Sequence, residues 1–465
     1  MIILLFSSIL AVGSFLLHSN AICRKLTSDI IQHRIFNDLS AGELYCAIFV
    51  LTSFGMFAYD STDRASVMFG KLATNILCLS LFPMSKTAFA VAFNISPDRA
   101  VKYHKIMSLL FLWAVGVHAA LEMYDEDTGE FDFEILLDSD RLIRAVPLYG
   151  TASTLLCVFA TAATLLTRFE WNMFLIAHIS AACGVFMFAS LHAFNYYQSV
   201  LITLAVYGAD YIYRLCFLKA AIATVRTDDH AIRIDLPKIT EYSPGQFAYI
   251  CVPSLHGRNS IAFHPFSIAS SPHDLTMSFI VKCKDVSDDK LEAWTTQLER
   301  LCTAHQNHTE VPIIVSKPYG SLTINMNQTR NLFMIAGGFG VVPWISIMKC
   351  LIENERSEIH PSATSDFANL KSAYLVWISS KRFSILDKEV ADLVDQSITW
   401  RRIKLTVLVF EYRVSARSIF KAIVDKDVEI KSVHKTVLVC GPHGLIQDVV
   451  VESKKRGIEY HCEKF

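Results

Sequence analysis

Seven stretches of the chain are apolar over nearly the thickness of a bilayer: residues 1–17, 42–59, 66–84, 104–123, 145–166, 174–196 and 199–218. A helix needs roughly 20 apolar residues, each rising about 1.5 Å, to cross about 30 Å of hydrocarbon. The first half is therefore predicted to be a bundle of seven membrane helices. From about residue 219 the pattern changes to short alternating runs broken by polar turns, with Tyr242-Ser243-Pro244-Gly245-Gln246 as a turn into a strand at 247–252. Residues 331–336 then form an apolar strand that enters a glycine cluster and a helix-like stretch, and 375–378 and 436–440 read as two further buried parallel strands. A membrane bundle, a β region and an α/β region are expected, in that order.

The polar loops orient the bundle. Loop 18–41 carries Arg24, Lys25 and Arg34, and loop 85–103 carries Lys86, Arg99 and Lys102, which places both on the cytoplasmic side. Loop 124–144, with Asp125, Glu126, Asp127, Glu130, Asp132, Glu134, Asp138 and Asp140, falls on the other side. Everything after Arg214 is then cytoplasmic. Residues 1–17 read as a retained helix, because Arg24 and Lys25 follow the apolar run instead of preceding it as in a secretory signal. Ser19-Asn20-Ala21 resembles a cleavage site and keeps a cleaved signal as the alternative.

Composition narrows the class. Of 465 residues, 52% are hydrophobic and 19% charged, and the apolar excess lies in the first half. A net charge of −1 with no run of like charge gives no sign of a nucleic-acid partner. Twelve cysteines without a CxxC pair or metal-ligand spacing indicate neither a disulfide framework nor a zinc site, and read as buried thiols.

Four histidines carry the sharpest signal. His104 and His118 lie in one apolar segment and His178 and His192 in another, each pair fourteen residues apart. On a helix that separation is about 21 Å along the axis and about 40° short of four turns, so both imidazoles lie near one face. Side by side, two such helices bring His104 opposite His178 and His118 opposite His192, two axial pairs for two stacked haems. A lone histidine in a membrane helix is as readily a satisfied interior group or a proton relay. Four at matched spacing point to bis-histidine haem ligation, because ionisable groups inside a membrane are costly and mark function. Iron with both axial positions filled suits electron transfer rather than ligand activation.

Three weaker motifs follow. Gly337-Gly338-Phe339-Gly340-Val341-Val342-Pro343 sits between a strand and a helix, where glycines admit a pyrophosphate to the helix N-terminus; alone it is equally a tight structural turn. His264-Pro265-Phe266-Ser267-Ile268-Ala269-Ser270-Ser271-Pro272 by itself reads as a strand ending in a serine-rich turn. After the strand at 375–378, Ser379, Ser380, Lys381 and Arg382 offer hydroxyls and cations to a ribose 2′-phosphate, against the alternative of a solvated basic turn.

The order of these parts, with Pro318-Tyr319-Gly320 and Cys440-Gly441-Pro442 between and after them, resembles the ferric reductase and NADPH oxidase superfamily over about residues 42–465. The resemblance implies a multi-domain fold: an α-helical transmembrane haem-binding bundle, then a ferredoxin-reductase-like module made of an FAD-binding β-barrel and an α/β nucleotide-binding domain. The expected boundaries are 1–41 for an N-terminal helix and loop, 42–218 for the haem domain, 219–325 for the barrel and 326–465 for the NADPH domain. His264, Pro265, Phe266 and Ser267 match the flavin motif, and Ile280, Val281 and Lys282 with Trp294 and Thr295 resemble the segments that flank the flavin pyrophosphate. Tyr319 and Gly320 belong to the same flavin region. Gly337, Gly338, Gly340 and Pro343 match the nicotinamide nucleotide loop, and Cys440, Gly441 and Pro442 the segment near the nicotinamide ring. Ser380, Lys381 and Arg382 favour NADPH over NADH. Thr167-Arg168-Phe169-Glu170 looks like the family's cytoplasmic loop, and Phe465 fits a C-terminal aromatic that stacks on the flavin, against the alternative of a frayed end.

The activity implied is electron transfer from cytosolic NADPH through FAD and two b-type haems to an acceptor across the membrane. In the family, fungal metal reductases tend to have fourteen residues between the histidines of both helices and animal and plant oxidases one fewer in the second, so the resemblance leans toward reduction of Fe(III) or Cu(II) chelates, with superoxide production from O2 as the alternative. A structural or regulatory protein that lost activity is disfavoured by the intact glycines, and a dihaem cytochrome fed by quinol or ascorbate leaves the last 247 residues unexplained. Plasma membrane and endoplasmic reticulum both fit the topology, and no calcium-binding loop is present.

Overall fold

A computed structural model describes residues 34–36, 39–40, 64–93, 97–124, 130–131, 147–168, 171–193, 197–228, 231–283, 294–305, 308–320, 322, 326–356, 367, 369–380, 383–397, 403–424 and 434–463. They fall into two compact units, one ending at Tyr213 and the other running from Arg214 and including the short strands Arg34–Phe36 and Leu39–Ser40. The first unit is helical: α1 (Ala65–Leu81), α2 (Lys86–Phe93), α3 (Pro97–Met123), α4 (Pro147–Ala162), α5 (Trp171–His192) and α6 (Tyr197–Cys216). Four stretches are long and apolar enough to cross a membrane, Ala65–Met84, Ala100–Met123, Pro147–Leu165 and Met173–His192. They coincide with four of the seven expected spans. The segments 1–17 and 42–59 lie outside the described residues. The seventh, at 199–218, is the 20-residue helix α6, which falls short in hydropathy because it carries Asp210, Arg214 and several tyrosines.

Helix α1 packs along α3, and α4 along α5. Their shared interior holds Ile76, Leu77, Met107, Phe111, Cys157, Val185 and Phe186, while Leu109, Trp113, Leu155, Ile176 and Met187 are exposed on the outside. Helices apolar on every side are what a lipid solvent selects, because burial in protein is not their only apolar environment. Asp210 is buried, and its Oδ1 accepts the Thr87 and Ala88 amides at 3.0 Å each. The carboxylate thereby satisfies N–H groups that the first turn of α2 leaves without intrahelical partners.

The second unit begins with six antiparallel strands: β1 (Lys219–Asp228), β2 (Ala231–Pro237), β3 (Phe247–Cys251), β4 (His264–Ser267), β5 (Thr276–Lys282) and β6 (His308–Val315), in the order β4-β3-β6-β1-β2-β5. The sheet nearly closes on itself, since Ile268 bridges Phe279 and the Ala269 amide donates to the Ser278 carbonyl at 2.7 Å. Period-two alternation fills the barrel: Ile232, Ile234 and Leu236 of β2 are buried inside, while Arg233 and Asp235 point outward. Helix α7 (Trp294–Thr303) covers one end with Trp294, Leu298 and Cys302, four residues apart on one face.

Five parallel strands follow, β7 (Asn331–Gly337), β8 (Ser372–Ile378), β9 (Lys404–Phe410), β10 (Lys435–Cys440) and β11 (Glu459–Glu463), ordered β9-β8-β7-β10-β11. Both faces are covered. Leu332, Met334 and Ala336 of β7 pack with α8 (Val342–Arg356) and α9 (Ser384–Ser397), and Phe333 and Ile335 pack on the other face with residues 416–424 and α10 (His443–Lys455). The chain leaves β7 toward β8 and later leaves β10 toward β11, so the strand order reverses between β7 and β10. In open α/β sheets, a crevice opens at the carboxyl ends of the two strands flanking such a reversal.

A polar seam joins barrel and α/β domain within this unit. Arg233 pairs with Asp235 on its own strand and with Glu389 of α9, and Glu389 also binds Lys349 of α8 at 2.6 Å. Ser346, Lys349 and Glu353 share one face of α8; Ser346 donates to the Ser270 carbonyl at 2.7 Å, and Glu353 accepts from Ser271 at 2.6 Å. Tyr242, whose hydroxyl burial pushes up to about 12, donates to the Ser271 carbonyl at 2.6 Å. Burial raises the Glu389 carboxyl, but Lys349 and Arg233 together outweigh it and hold the group below its ordinary pKa.

Replacing Glu389 by glutamine leaves two cations without their shared partner. We expect a loss of about 2 kcal/mol, less than for a fully buried pair because both cations keep some contact with water. A folded-state pKa below the unfolded one contributes stability that is complete above the unfolded value and is lost as pH falls through the folded value. Melting curves of native and Glu389→Gln protein therefore separate near neutral pH and converge in acid; coincident curves at neutral pH would show that the seam adds nothing.

Candidate functional site

Within the helical unit the four histidines meet in pairs. The ring centroids of His104 and His178 are 6.0 Å apart, as are those of His118 and His192. Two metal–nitrogen bonds of about 2 Å each, plus the distance from nitrogen to ring centre, bring two imidazole centroids to about 6 Å, so each pair fits one iron between its rings. Three of the rings are held by backbone carbonyls: His104 Nδ1 lies 2.8 Å from the Ser80 oxygen, His118 Nδ1 2.8 Å from that of Ser66, and His178 Nδ1 3.0 Å from that of Ala160. A carbonyl only accepts, so Nδ1 carries the proton in each neutral ring and Nε2 keeps a lone pair. Ser66 and Ser80 are themselves fourteen residues apart on α1, which runs antiparallel to α3 and supplies one carbonyl to each histidine of that helix.

In the second unit β4 and α7 bring three rings together. Trp294 lies 5.1 Å from His264 and 5.4 Å from Phe266, centroid to centroid. His264 Nε2 and Trp294 Nε1 are both buried without a hydrogen-bond partner, and burial lowers the His264 pKa and favours the neutral ring. Unmatched donors and acceptors of this kind cost about 1–3 kcal/mol each unless a ligand supplies the partner. Pro265 is exposed at the centre of β4 and Ser267 is buried at its end. Lys282 ends β5 with an exposed side chain, and Thr295 lies in the first turn of α7. Tyr319 and Phe247 exchange backbone hydrogen bonds of 3.0 and 2.7 Å, and Gly320, at φ 91°, lies so close that a Cβ there would stand 3.2 Å from the Phe247 ring.

At the sheet reversal two loops touch backbone to backbone. A Cβ on Gly340 would fall inside contact distance of the Cys440 carbonyl, and one on Gly441 would stand 2.9 Å from the Gly337 nitrogen. A Cβ on Gly337 would stand 2.6 Å from the Pro442 ring. These glycines fit the two loops together. Gly338 differs: its φ is 54°, nothing lies within 4 Å of its Cβ position, and its carbonyl accepts from Trp377 Nε1 at 2.9 Å. Pro343 is the second residue of α8, where a missing N–H costs no helical bond. The crevice thus offers an open positive-φ glycine ahead of a helix N-terminus, the arrangement that receives a pyrophosphate.

Residues 69–189 match the family described as ferric reductase like transmembrane component, and residues 214–323 match the FAD-binding domain family. Both matches, one in each half of the chain, support a place in the ferric reductase and NADPH oxidase superfamily. Among its relatives, ferric reduction oxidase 8, mitochondrial, of Arabidopsis thaliana is 26% identical over 319 residues, covering 63% of this chain and 41% of that protein. Dual oxidase 1 of Homo sapiens is 25% identical over 201 residues, or 41% of this chain and 12% of the relative. A superoxide-generating NADPH oxidase heavy chain of Dictyostelium discoideum is 26% identical over 157 residues, or 31% and 21%. The chain spans less than half the length of each of these relatives.

The structure therefore brings together the histidine pairs, the group His264, Phe266 and Trp294, and the loops at Gly337 and Cys440. Ser380 is exposed just beyond the carboxyl end of β8, whereas Lys381, Arg382, Phe169, Glu170 and Phe465 lie outside the described residues. Reading side chains along the sequence missed the carbonyls of Ser66, Ser80 and Ala160, which are backbone atoms and leave no mark in residue type. The fourteen-residue repeat of Ser66 and Ser80 was the one available signal.

Two glycine substitutions separate packing from ligand access. Gly340→Ala drives a methyl into a rigid carbonyl and is expected to cost about 1–3 kcal/mol, whereas Gly338→Ala meets open space and costs about 1–2 kcal/mol through its positive φ alone. Denaturant titration of the two variants checks the order, and a Gly340→Ala protein as stable as the native one would contradict the backbone contact.

Proposed function

We propose that the protein carries electrons from NADPH on the cytoplasmic side, through FAD and two b-type haems, to an acceptor across the membrane, with Fe(III) or Cu(II) chelates as that acceptor. The observation that carries this reading is the pair of histidine couples, each with centroids 6.0 Å apart, on helices long and apolar enough to span a bilayer. When bound, flavin and haem supply the conversion of a two-electron donor into single-electron transfers.

The chain's own groups have definite tasks. Nε2 of His104, His118, His178 and His192 would hold the haem irons, and the Nδ1–H bonds to Ser80, Ser66 and Ala160 hold tautomer and ring direction. The apolar residues of the shared helix interior keep water away and the dielectric low. His264, Phe266 and Trp294 flank the flavin ring, with His264 Nε2 and Trp294 Nε1 free to bond its polar atoms. Gly338 and the start of α8 receive the NADPH pyrophosphate; beyond β8, Ser380, Lys381 and Arg382 meet the 2′-phosphate, a stretch that carries no acid to favour NADH. Cys440, Gly441 and Pro442 border the nicotinamide. The basic loops at 18–41 and 85–103 support a cytoplasmic reductase module, in a plasma or endoplasmic reticulum membrane.

For the acceptor, fourteen-residue spacing in both helices resembles the family's metal reductases, whereas its animal and plant oxidases tend to be one residue shorter in the second helix. The match to a ferric reduction oxidase also extends over more of this chain, 63%, than the match to a dual oxidase, 41%. Relatives named as oxidases supply the second reading, superoxide formation from O2.

Membranes containing the protein are expected to reduce a ferric chelate with NADPH equally well with and without superoxide dismutase. Abolition by dismutase would transfer the function to the oxidase reading. His118→Ala is expected to remove one haem absorbance component while NADPH still bleaches the flavin; retention of both components would overturn the ligand assignment.

A further inference from the structure

Five glycines lie in the described helices of the membrane unit, and they do not have equal surroundings: Gly116 and Gly208 have open space at the Cβ position, and Gly184 faces a methyl of the flexible Leu156. The other two face histidine. A Cβ on Gly150 of α4 would stand 2.9 Å from both Cε1 and Nδ1 of His192 and 3.2 Å from its Cγ. A Cβ on Gly70 of α1 would stand 3.1 Å from Cε1 and 3.3 Å from Nδ1 of His118. Both contacts fall on the same pair, the one whose centroids are 6.0 Å apart nearer the acidic loop, and neither His104 nor His178 meets a glycine among the described residues.

We propose that Gly70 and Gly150 are positioning residues that seat the outer axial pair, each letting an imidazole rest directly on the backbone of the adjacent helix. The inference rests on the haem reading and adds an asymmetry to it: the outer pair is clamped from both sides by bare backbone, and the inner pair is not. Each seat combines with the helix pairing. On α1, Gly70 stands one turn after Ser66, whose carbonyl holds the His118 Nδ1 proton at 2.8 Å. The carbonyl thus fixes where the ring's proton points, and the glycine fixes how near the ring lies to the helix axis. Gly150 gives His192 the same close approach on the second helix pair.

An alanine methyl at 2.9 Å intrudes well inside the ordinary carbon contact of about 3.5–4.0 Å. A free side chain would swing away. His192 would have little freedom to retreat once its Nε2 held an iron shared with His118, whose ring centroid lies 6.0 Å away. Strain at Gly150→Ala would therefore fall on the contact between His192 and its haem, and at Gly70→Ala, where the contact is 3.1 Å, a smaller strain would fall on that of His118.

The test is made on the full-length protein in detergent, reduced chemically so that neither NADPH nor turnover is needed. Haem content, the low-temperature absorbance bands and a potentiometric titration are recorded for native protein, His118→Ala, Gly150→Ala, Gly70→Ala and Gly116→Ala. The component missing from His118→Ala identifies the outer haem. Gly150→Ala is expected to shift the potential and band of that component alone, or to lower haem content from two per chain toward one. Gly70→Ala should shift the same component less, and Gly116→Ala should match native protein. Two haems with unchanged potentials in Gly150→Ala overturn the inference, as does an equal change in both components, which would mark general loosening of the bundle. Native protein without haem overturns the ligand assignment and this inference with it, whereas native protein with two haems and an indifferent Gly150→Ala overturns the inference alone.

Discussion

The membrane unit depends on one constraint: an imidazole placed among apolar helices must have both nitrogens accounted for. Water is not available there to absorb a stray proton or lone pair. The carbonyls of Ser66, Ser80 and Ala160 have a second lone pair beyond the one used in their own helix, and each takes an Nδ1–H. That bond leaves the lone pair on Nε2, in a ring whose centroid stands 6.0 Å from that of the opposite histidine. One contact thus satisfies a buried polar group and fixes which nitrogen of the ring keeps its lone pair.

Antiparallel helix pairing makes the arrangement repeat. Residues fourteen apart on α3 face residues fourteen apart on α1, so the carbonyl that serves His104 has a counterpart that serves His118. Helices α4 and α5 form a second such hairpin. The result is two couples at the same 6.0 Å separation, displaced along the bundle by the length of four turns. Small packing residues complete it, since a helix backbone can be approached closely only where no Cβ intervenes.

In the second unit, close backbone approach has the same importance. Gly337, Gly340 and Gly441 let the loop after β7 lie against the loop after β10, and this contact shapes the crevice at the point where the strand order reverses. The polar face of α8 then ties that crevice to the barrel, through Ser346 and Glu353 on the turn that follows the strand of His264 and Phe266. The helix that begins at the glycine loop is therefore also the helix that ties the two halves of the unit to one another.

Much of this was legible in residue order. Apolar length marked the four spans now described, and period-two alternation marked the barrel strands, because both signals report a solvent preference that every residue of the element shares. The histidine spacing was legible for a related reason: helical geometry turns a count of fourteen into a direction. Residue order thus set the class of each element and the side chains available for chemistry. The choice of backbone carbonyl for each imidazole, and of which glycine admits a ring, a loop or open space, came only with the folded arrangement. So did the meeting of His264 and Trp294, thirty residues apart, as neighbouring rings with unmet hydrogen-bonding atoms. Those outcomes rest on backbone atoms and on distances between elements, and neither is encoded in the type of any single residue.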